Sequence, residues 1–336
     1  MKVQLAIKKI YIKTYGCQMN FSETEIISGL FLSNGFELTD SMDTADVIIL
    51  NTCSIRDTAV NKVIGKLGQL KRLKKDNPDL IIGIGGCYAQ SDSDFLKKKA
   101  NYLDFIFGTY NKLRLVDIIN KIEESRVLDD YETILDVGVY PDNEQFQYKD
   151  IAYKNPVTAW VPIMRGCDNY CSYCIVPYVR GHEISRIPSE IITQIEGLSS
   201  QNYKEIVLLG QNVNSYGKRF ADGIDYKITF AGLLKELIKI DKIKRIRFIT
   251  SHPKDLTDEL IDVMSSSEKI CKSLHLPVQS GSTNVLKAMK RQYSREYYVE
   301  LIKKLRDKIP DLALATDVIV GFPGETEEDF QLTIDL

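Results

Sequence analysis

The chain has 336 residues, of which 44% are hydrophobic and 27% are charged. This composition is ordinary for a soluble globular protein, and the length favours two domains. Lys and Arg number 44 against 46 for Asp and Glu, so the net charge of −2 gives no support for a nucleic-acid partner. No apolar run is long enough to cross a bilayer, and the N-terminus lacks the apolar core of a signal peptide. We therefore expect a cytoplasmic protein that does not use a membrane.

The N-terminal part of the chain, residues 1–125, alternates apolar, β-rich runs with helical patterns. The runs are residues 9–17, 47–53, 81–87 and 105–108, and the helical patterns are residues 22–33, 57–75, 91–100 and 113–124. Strands that alternate with helices are typical of the α/β class with a doubly wound parallel sheet. The sequence therefore predicts an N-terminal domain built on such a sheet.

The first three runs of this domain each end in a cysteine, namely Cys17, Cys53 and Cys87. The carboxyl ends of parallel strands lie along one edge of a sheet, and neighbouring strands are only about 5 Å apart. We therefore expect the three thiols to converge and to hold an iron–sulfur cluster with one iron left open. The alternative is three unrelated buried cysteines, because cysteine is often buried. Seven cysteines in a chain without an export signal favour metal or redox chemistry over disulfides.

The helix predicted at residues 57–75 carries several basic side chains. They are Lys62, Lys66, Lys71, Arg72, Lys74 and Lys75. Such a run can face the phosphate groups of an RNA, but it is more commonly a solvated helix face.

The next segment, residues 126–156, loses the regular alternation of strands and helices. Its acidic residues include Asp129, Asp130, Asp136, Asp142, Glu144 and Asp150. Prolines at positions 141 and 156 interrupt it. This pattern predicts an interdomain connection that packs on the surface.

Strands and helices alternate again in residues 157–336. The candidate strands are residues 158–164, 205–210, 245–250, 273–278 and 313–320, and the candidate helices are residues 189–200, 230–240, 256–266, 282–290, 294–308 and 325–336. Repeated strand–helix units predict a partial (β/α) barrel, whose chemistry lies at the carboxyl ends of its strands. The first strand is followed by such a candidate site.

That site is a loop with three cysteines, Cys167, Cys171 and Cys174, in a C-x3-C-x2-C pattern. Three thiolates at this spacing can hold three irons of a [4Fe–4S] cluster and leave the fourth iron open to a cofactor. The alternative is a zinc site, which usually needs four ligands. The nearest candidate for a fourth ligand is His182, and no second cysteine pair follows.

The cysteine loop resembles the signature of the radical S-adenosylmethionine (SAM) enzymes. Three stretches of the N-terminal domain, TYGCQMN (residues 14–20), NTCSIRDTAVNKV (51–63) and GIGGCYAQ (83–90), resemble the methylthiotransferase family of these enzymes. The tripeptides Gln18-Met19-Asn20 and Ser54-Ile55-Arg56 resemble the branch that acts on N6-isopentenyladenosine in tRNA. Other branches act on threonylcarbamoyl-adenosine in tRNA or on a ribosomal protein, and these remain alternatives.

The resemblance implies a transferase with two [4Fe–4S] clusters and SAM as cofactors. Cys167, Cys171 and Cys174 would hold the cluster that generates a radical from SAM, and the N-terminal three cysteines would hold an auxiliary cluster. The substrate would be tRNA, and a protein would donate electrons to a monomeric enzyme. Members of the family complete a six-unit barrel and add an RNA-binding β-barrel. Neither is recognisable here, so we expect a chain truncated before the end of the barrel.

The resemblance also suggests which residues contact SAM. They are Tyr173, Gln211, Ser251, Gln279 and Val320. Ordinary loop and cap chemistry is the alternative at each position. We assign no catalytic role to the three histidines. Outside the enzymes, the alternative function is a zinc-stabilised RNA-binding module.

Overall fold

The structure is a computed structural model that describes residues 7–54, 57–128, 132–141, 146, 148 and 150–336, without the side chains of residues 57–60. The chain forms two compact units. The first contains Met1–Lys154 together with Tyr178–Arg180, and the second contains Asn155–Pro177 and Gly181–Leu336. Among the described residues, no helix has both the length and the hydropathy of a membrane span.

The first unit is built on a six-stranded parallel sheet. Its strands are β1 (Lys9–Tyr15), β2 (Glu37–Leu38), β3 (Val47–Thr52), β4 (Ile81–Gly86), β5 (Phe105–Phe107) and β6 (Ile134–Asp136). Its helices are α1 (Gln18–Ser33), α2 (Asp57–Asp76), α3 (Cys87–Ser91), α4 (Ser93–Lys99) and α5 (Leu115–Val127). The strands lie in the order β2-β1-β3-β4-β5-β6.

Helices cover both faces of this sheet. As a result, β3 and β4 are buried along their whole length. On one face, α2 and α4 contribute Leu70 and Leu96 to an apolar cluster. On the other, α1 and α5 contribute Phe31 and Ile119. The prediction of a doubly wound parallel sheet is confirmed.

The strand order determines where a ligand can bind. The chain moves from β1 to one side of the sheet for β2 and then to the other side for β3. The crevice beyond the carboxyl ends of strands at such a reversal is the usual ligand site in open parallel sheets. Tyr15 pairs with Thr52, and Thr52 pairs with Gly86, so the carboxyl ends of β1, β3 and β4 are level with one another.

Part of the predicted surface connection belongs to the sheet instead. Phe105 pairs with Ile134, and Phe107 pairs with Asp136, so β6 extends the sheet beyond β5. This strand is only three residues long and borders acidic segments, which is why no periodic signal predicted it. Four of the acidic residues cited for this connection (positions 129, 130, 142 and 144) lie outside the described residues. The predicted boundaries at residues 125 and 156 stay predictions.

The second unit contains the remaining strands and helices. Its strands are β7 (Thr158–Pro162), β8 (Met164–Arg165), β9 (Ile184–Ser185), β10 (Glu205–Leu209), β11 (Arg245–Phe248), β12 (Ser273–His275) and β13 (Ala313–Ala315). The helices of this part of the chain are α6 (Val176–Arg180), α7 (Pro188–Ser200), α8 (Phe230–Leu237), α9 (Asp258–Ser266), α10 (Thr283–Ala288), α11 (Arg295–Lys308) and α12 (Glu327–Asp335).

Five of these strands form the predicted partial barrel. Strand β10 pairs in parallel with β7 and β11, and β12 pairs in parallel with β13. A parallel bridge between Ile246 and Ile270 joins the two groups. Strands β8 and β9 pair with each other in a separate antiparallel ribbon, and the cysteine loop lies between them in sequence. The partial barrel predicted from the sequence is confirmed.

Candidate metal centres

Cys17, Cys53 and Cys87 lie at one edge of the first unit's sheet, just beyond β1, β3 and β4. The thiols of Cys17 and Cys53 are in hydrogen-bonding contact, and Cys87 is close enough for the charge of Cys17 to act on it. Cys53 and Cys87 are each only 1% exposed. The structure therefore brings together the N-terminal three cysteines that the sequence analysis singled out.

Local backbone geometry places each of these thiols. Cys17 is the N-cap of α1, and its thiol accepts the backbone N–H of Asn20, while the Asn20 side chain accepts the backbone N–H of Cys17 at 3.3 Å. Cys87 begins α3 and follows Gly86, whose φ is +93°. A Cβ at Gly86 would collide with the carbonyl oxygen of Thr52. A side chain is therefore excluded where the backbone turns to present Cys87.

The thiols of Cys17 and Cys87 differ in how readily they ionise. A hydrogen bond from Cys53 lowers the pKa of Cys17 to about 6, against the opposing effect of burial, and the charge of Arg180 adds to this. The N-terminus of α1 also favours a thiolate. Burial raises the pKa of Cys87. A thiolate therefore forms more readily at Cys17 than at Cys87.

Asn20, in the first of the two tripeptides singled out in the sequence, contacts the cysteine edge directly. Its side chain also donates to the carbonyl oxygen of Thr52 at 3.2 Å, and Asn51 donates to the Asn20 carbonyl oxygen at 2.8 Å. These bonds tie the first turn of α1 to the end of β3. Ile55 and Arg56, which belong to the second tripeptide, lie outside the described residues.

In the second unit, Cys167, Cys171 and Cys174 lie on the loop between β8 and α6. Gly166 has a φ of +73°, and a Cβ there would collide with the carbonyl oxygen of His182. The backbone N–H of Cys174 donates to the Cys171 carbonyl oxygen at 2.9 Å, which closes a tight turn between these two ligand candidates. The thiols of Cys174 and Cys171 are close enough for their charges to interact, as are those of Cys167 and Cys174.

Polar groups surround this cysteine loop. Asn169 Nδ2 donates to Cys167 Sγ at 3.3 Å, and Arg291 Nη1 lies 3.6 Å from Cys171 Sγ. Arg291 is 7% exposed and is held by a bond to the Pro277 carbonyl oxygen at 2.9 Å. Burial raises the pKa of Cys167 to about 11, which favours the protonated thiol at neutral pH when no metal is bound. N–H donors around sulfur ligands are typical of iron–sulfur sites.

Two of the predicted SAM contacts have unsatisfied polar atoms. Gln211 Oε1, just beyond β10, and Ser251 Oγ, beyond β11, are buried without a hydrogen-bond partner in the protein. Asn212 Oδ1 and Glu183 Oε1 are likewise buried without a hydrogen-bond partner in the protein. Buried polar atoms of a native protein are normally bonded, so this group fits a polar ligand. The strand ends of the second unit therefore carry the polar atoms that a ligand such as SAM requires.

The other three predicted SAM contacts are less specific. The Tyr173 hydroxyl lies 3.4 Å from Arg291 Nη1 beside the cysteine loop. Gln279 adopts a left-handed backbone with φ +75°. Val320 is 57% exposed and offers a ligand only its methyl groups and backbone. All five contacts stay predictions.

Sequence reasoning missed several charged side chains of the two sites. Arg180 and Glu23 form a buried ion pair in the first unit, and Arg291 lies against the second set of cysteines. In the second unit, Glu183, near Ser215 and Lys218, has its pKa raised to about 7 by burial. A single charged residue has no periodicity that points to its partner, so the sequence offers no pattern that would have identified these contacts.

His182, the candidate fourth ligand of the alternative zinc site, is paired with a carboxylate instead. His182 Nδ1 lies 2.9 Å from Asp168 Oδ1, and both side chains are largely exposed. Among the described residues, no three His, Cys, Asp or Glu side chains are close enough to hold a single metal ion. The thiolates of a four-iron cluster bind different irons, so they stand farther apart than the ligands of one ion.

Two known families match the sequence. Residues 9–108 match the uncharacterized protein family UPF0004, and residues 161–336 match the radical SAM superfamily. The first match contains the N-terminal three cysteines, and the second contains the cysteine loop.

Curated relatives cover nearly the whole chain. The tRNA-2-methylthio-N(6)-dimethylallyladenosine synthase of Carboxydothermus hydrogenoformans is 51% identical over 334 residues, which are 99% of this chain and 74% of the relative. The protein of the same name from Clostridium perfringens strain 13 is 48% identical and covers 98% of this chain and 72% of the relative. The chain belongs to this synthase family.

Two solved structures have a fold similar to that of this synthase family member. The radical SAM methyltransferase TsrM from Kitasatospora setae superposes with a TM-score of 0.68 at 13% identity, covering 98% of this chain and 70% of TsrM. The cobalamin-dependent radical SAM enzyme OxsB superposes with a TM-score of 0.66 at 13% identity, covering 98% and 52%. At this identity the likeness concerns the fold alone.

Membership of the synthase family also identifies the class of protein and its cofactors. Radical SAM enzymes use SAM and a [4Fe–4S] cluster, and enzymes of the synthase family carry two clusters. The predictions of an enzyme of the transferase type, of two [4Fe–4S] clusters and of SAM are confirmed. The non-enzymatic zinc module is disfavoured. Which cysteine binds which cluster stays a prediction.

Replacing Gly86 tests whether the turn before Cys87 places a metal ligand. The Gly86→Ala variant combines a φ of +93° with a steric clash, which should cost about 2 kcal/mol or more and displace Cys87. We expect anaerobically reconstituted protein to contain less iron than the parent. The matched control is Gly65→Ala in α2, where nothing lies within 4 Å of the added Cβ. Equal iron content in both variants would contradict the assignment of Cys87.

His252 should make the stability of the second unit sensitive to acid. Burial lowers its pKa to about 3, whereas the unfolded chain binds a proton below a pKa of about 6.5. Stability is therefore present above pH 6.5 and is lost as the pH falls, by up to about 1.4 kcal/mol per pH unit.

The measurement is urea unfolding at several pH values between about 7 and 5. The His252→Asn variant keeps an acceptor for the Lys254 backbone N–H but cannot titrate, so it should lose less stability than the parent over this range. The exposed His182→Asn control should follow the parent. Identical pH profiles for the parent and His252→Asn would show that the ring does not stay neutral in the folded state.

Proposed function

We propose that this chain methylthiolates N6-isopentenyladenosine next to the anticodon of tRNA, which gives the 2-methylthio derivative. The observation that carries the proposal is the pair of cysteine sets, each within a matched family. The first set lies just beyond the carboxyl ends of three parallel strands, and the second lies on the loop between β8 and α6. The relatives at about 50% identity are tRNA-2-methylthio-N(6)-dimethylallyladenosine synthases, and their activity supplies the substrate class. A chain with one cysteine set would support a radical reaction, but not the insertion of sulfur.

The proposed roles divide between the two sets. Cys167, Cys171 and Cys174 hold the cluster to which SAM binds, and Cys17, Cys53 and Cys87 hold the auxiliary cluster. When bound, the clusters and SAM supply the hydrogen abstraction and the methylthio group that this reaction needs. The protein itself contributes binding, orientation and protection from water.

The second unit would orient SAM through its strand ends. Gln211 Oε1 and Ser251 Oγ are acceptors without a protein partner, suited to the hydroxyl and amino groups of SAM. Asn212, the residue after Gln211, donates to Asp255 at 2.8 Å, and Lys218 donates to the same carboxylate at 2.9 Å, which fixes the segment that follows β10. These groups would hold the cofactor in one orientation, which favours a single site of attack on the substrate.

The cysteine loop would be kept rigid and shielded by its surroundings. Ser172 N–H donates to the Met289 carbonyl oxygen at 3.1 Å, and Ser172 Oγ donates to Ala288 at 3.0 Å. Cys167 and Cys171 are buried. Exclusion of water matters in this chemistry because a radical that meets water or a stray side chain is lost.

The proposal also covers the substrate, the electron donor, the location and the oligomeric state of the whole enzyme. The substrate is tRNA, and a separate protein supplies electrons to the cluster on the cysteine loop. We place the enzyme in the cytoplasm as a monomer.

The test is nucleoside analysis of total tRNA from a strain that lacks the gene. We expect 2-methylthio-N6-isopentenyladenosine to disappear and its unmethylthiolated precursor to accumulate. Complementation with the parent gene should restore the product, whereas complementation with Cys171→Ala should not. Loss of the methylthio group from threonylcarbamoyl-adenosine or from a ribosomal protein, with isopentenyladenosine unaffected, would overturn the assignment.

A further inference from the structure

Arg180 forms a buried ion pair in the first unit. Its Nη1 and Nη2 donate to the two carboxylate oxygens of Glu23 at 2.8 and 3.1 Å. The side chains of Arg180 and Glu23 are only 6% and 8% exposed. A two-pronged pair of this kind fixes the plane of the guanidinium.

Stability alone is a poor explanation for this ion pair. Removing two charges from water costs several kcal/mol each, and a buried pair often stabilises a protein no better than apolar side chains of the same volume. The pair is also remote in sequence, because Glu23 belongs to α1 and Arg180 follows the cysteine loop by six residues. Its position beside the thiols suggests a different role.

The guanidinium lies against the cysteine edge of the sheet. Arg180 makes a hydrogen bond to Cys87, and its charge also acts on Cys17. Arginine has five N–H donors in a rigid fork, so one guanidinium can donate to a carboxylate and to sulfur at the same time. Helix α1 carries both Cys17, at its N-cap, and Glu23, in its second turn. One helix therefore positions a thiol and the carboxylate that orients the arginine.

We propose that Arg180, oriented by Glu23, is a positioning residue of the auxiliary site: it donates to the sulfur of Cys87 and balances the negative charge of a cluster held by Cys17, Cys53 and Cys87. This inference rests on the proposed function, because it requires that those cysteines hold a cluster. Hydrogen bonds and positive charge at the sulfur ligands of a cluster raise its reduction potential and strengthen its hold on the protein. Arg180 should therefore affect both quantities.

The experiment uses the full chain with Cys167, Cys171 and Cys174 replaced by alanine, so that only iron in the first unit is measured. Into this parent we introduce Arg180→Met, Arg180→Lys and Glu23→Gln. The matched control is Arg72→Met, which makes the same substitution at an exposed position of α2. Circular dichroism reports folding. The readouts are iron per chain after anaerobic reconstitution, the rate of iron release to a chelator, and the reduction potential followed by electron paramagnetic resonance.

We expect Arg180→Met to release iron about tenfold faster than the parent, as for the loss of one charge-assisted hydrogen bond, and to have a lower reduction potential. Arg180→Lys keeps the charge but not the planar fork, so it should lie between the parent and Arg180→Met. Glu23→Gln should also release iron faster, because the guanidinium loses its fixed orientation. Arg72→Met should match the parent.

The outcomes separate this inference from the proposed function. A parent that binds iron, with Arg180→Met unchanged in release rate and potential, overturns the positioning role and leaves the proposed function intact. If Arg180→Met fails to fold, the two milder variants decide, and parental potentials and release rates in both overturn the role. A parent that binds no iron overturns the assignment of the auxiliary site, and the positioning role falls with it.

Discussion

Parallel pairing of three neighbouring strands is the constraint on which the rest of the first unit depends. The registers of β1 with β3 and of β3 with β4 place Tyr15, Thr52 and Gly86 side by side. Each strand therefore delivers its cysteine to the same edge, although the cysteines lie more than thirty residues apart in sequence. A slip of one residue in either register would turn a whole strand over and separate the thiols.

The edge that results combines burial with charge. Cys53 and Cys87 are almost inaccessible to water, and burial raises the pKa of Cys87. The buried guanidinium of Arg180 opposes this effect, and the N-terminus of α1 assists Cys17. In the second unit, Asn169 and Arg291 supply the comparable donors to sulfur. Both sites thus favour a group that carries negative charge on its sulfur ligands.

The sequence was sufficient for the elements with strong periodic signals and for the ligand types. Apolar runs that end in cysteine predicted β1, β3 and β4, because a buried parallel strand is continuously apolar and its end has a fixed place. The three-residue strand β6 was not predictable, since its pairing depends on β5 and not on any pattern of its own. Arg180 and Arg291 were missed for a related reason. Their contacts are made across long sequence separations, and a single charged residue carries no information about its partner.

The central claim is that two separate cysteine sets each hold a four-iron cluster, and counting iron and labile sulfide tests it most directly. Four anaerobically reconstituted proteins are compared: the parent, the variant lacking Cys17, Cys53 and Cys87, the variant lacking the cysteine loop's three thiols, and the variant lacking all six. The account predicts a loss of about four iron and four sulfide atoms for each set removed, and none bound when both are absent. Full iron and sulfide content in the variant without the N-terminal three cysteines would contradict it.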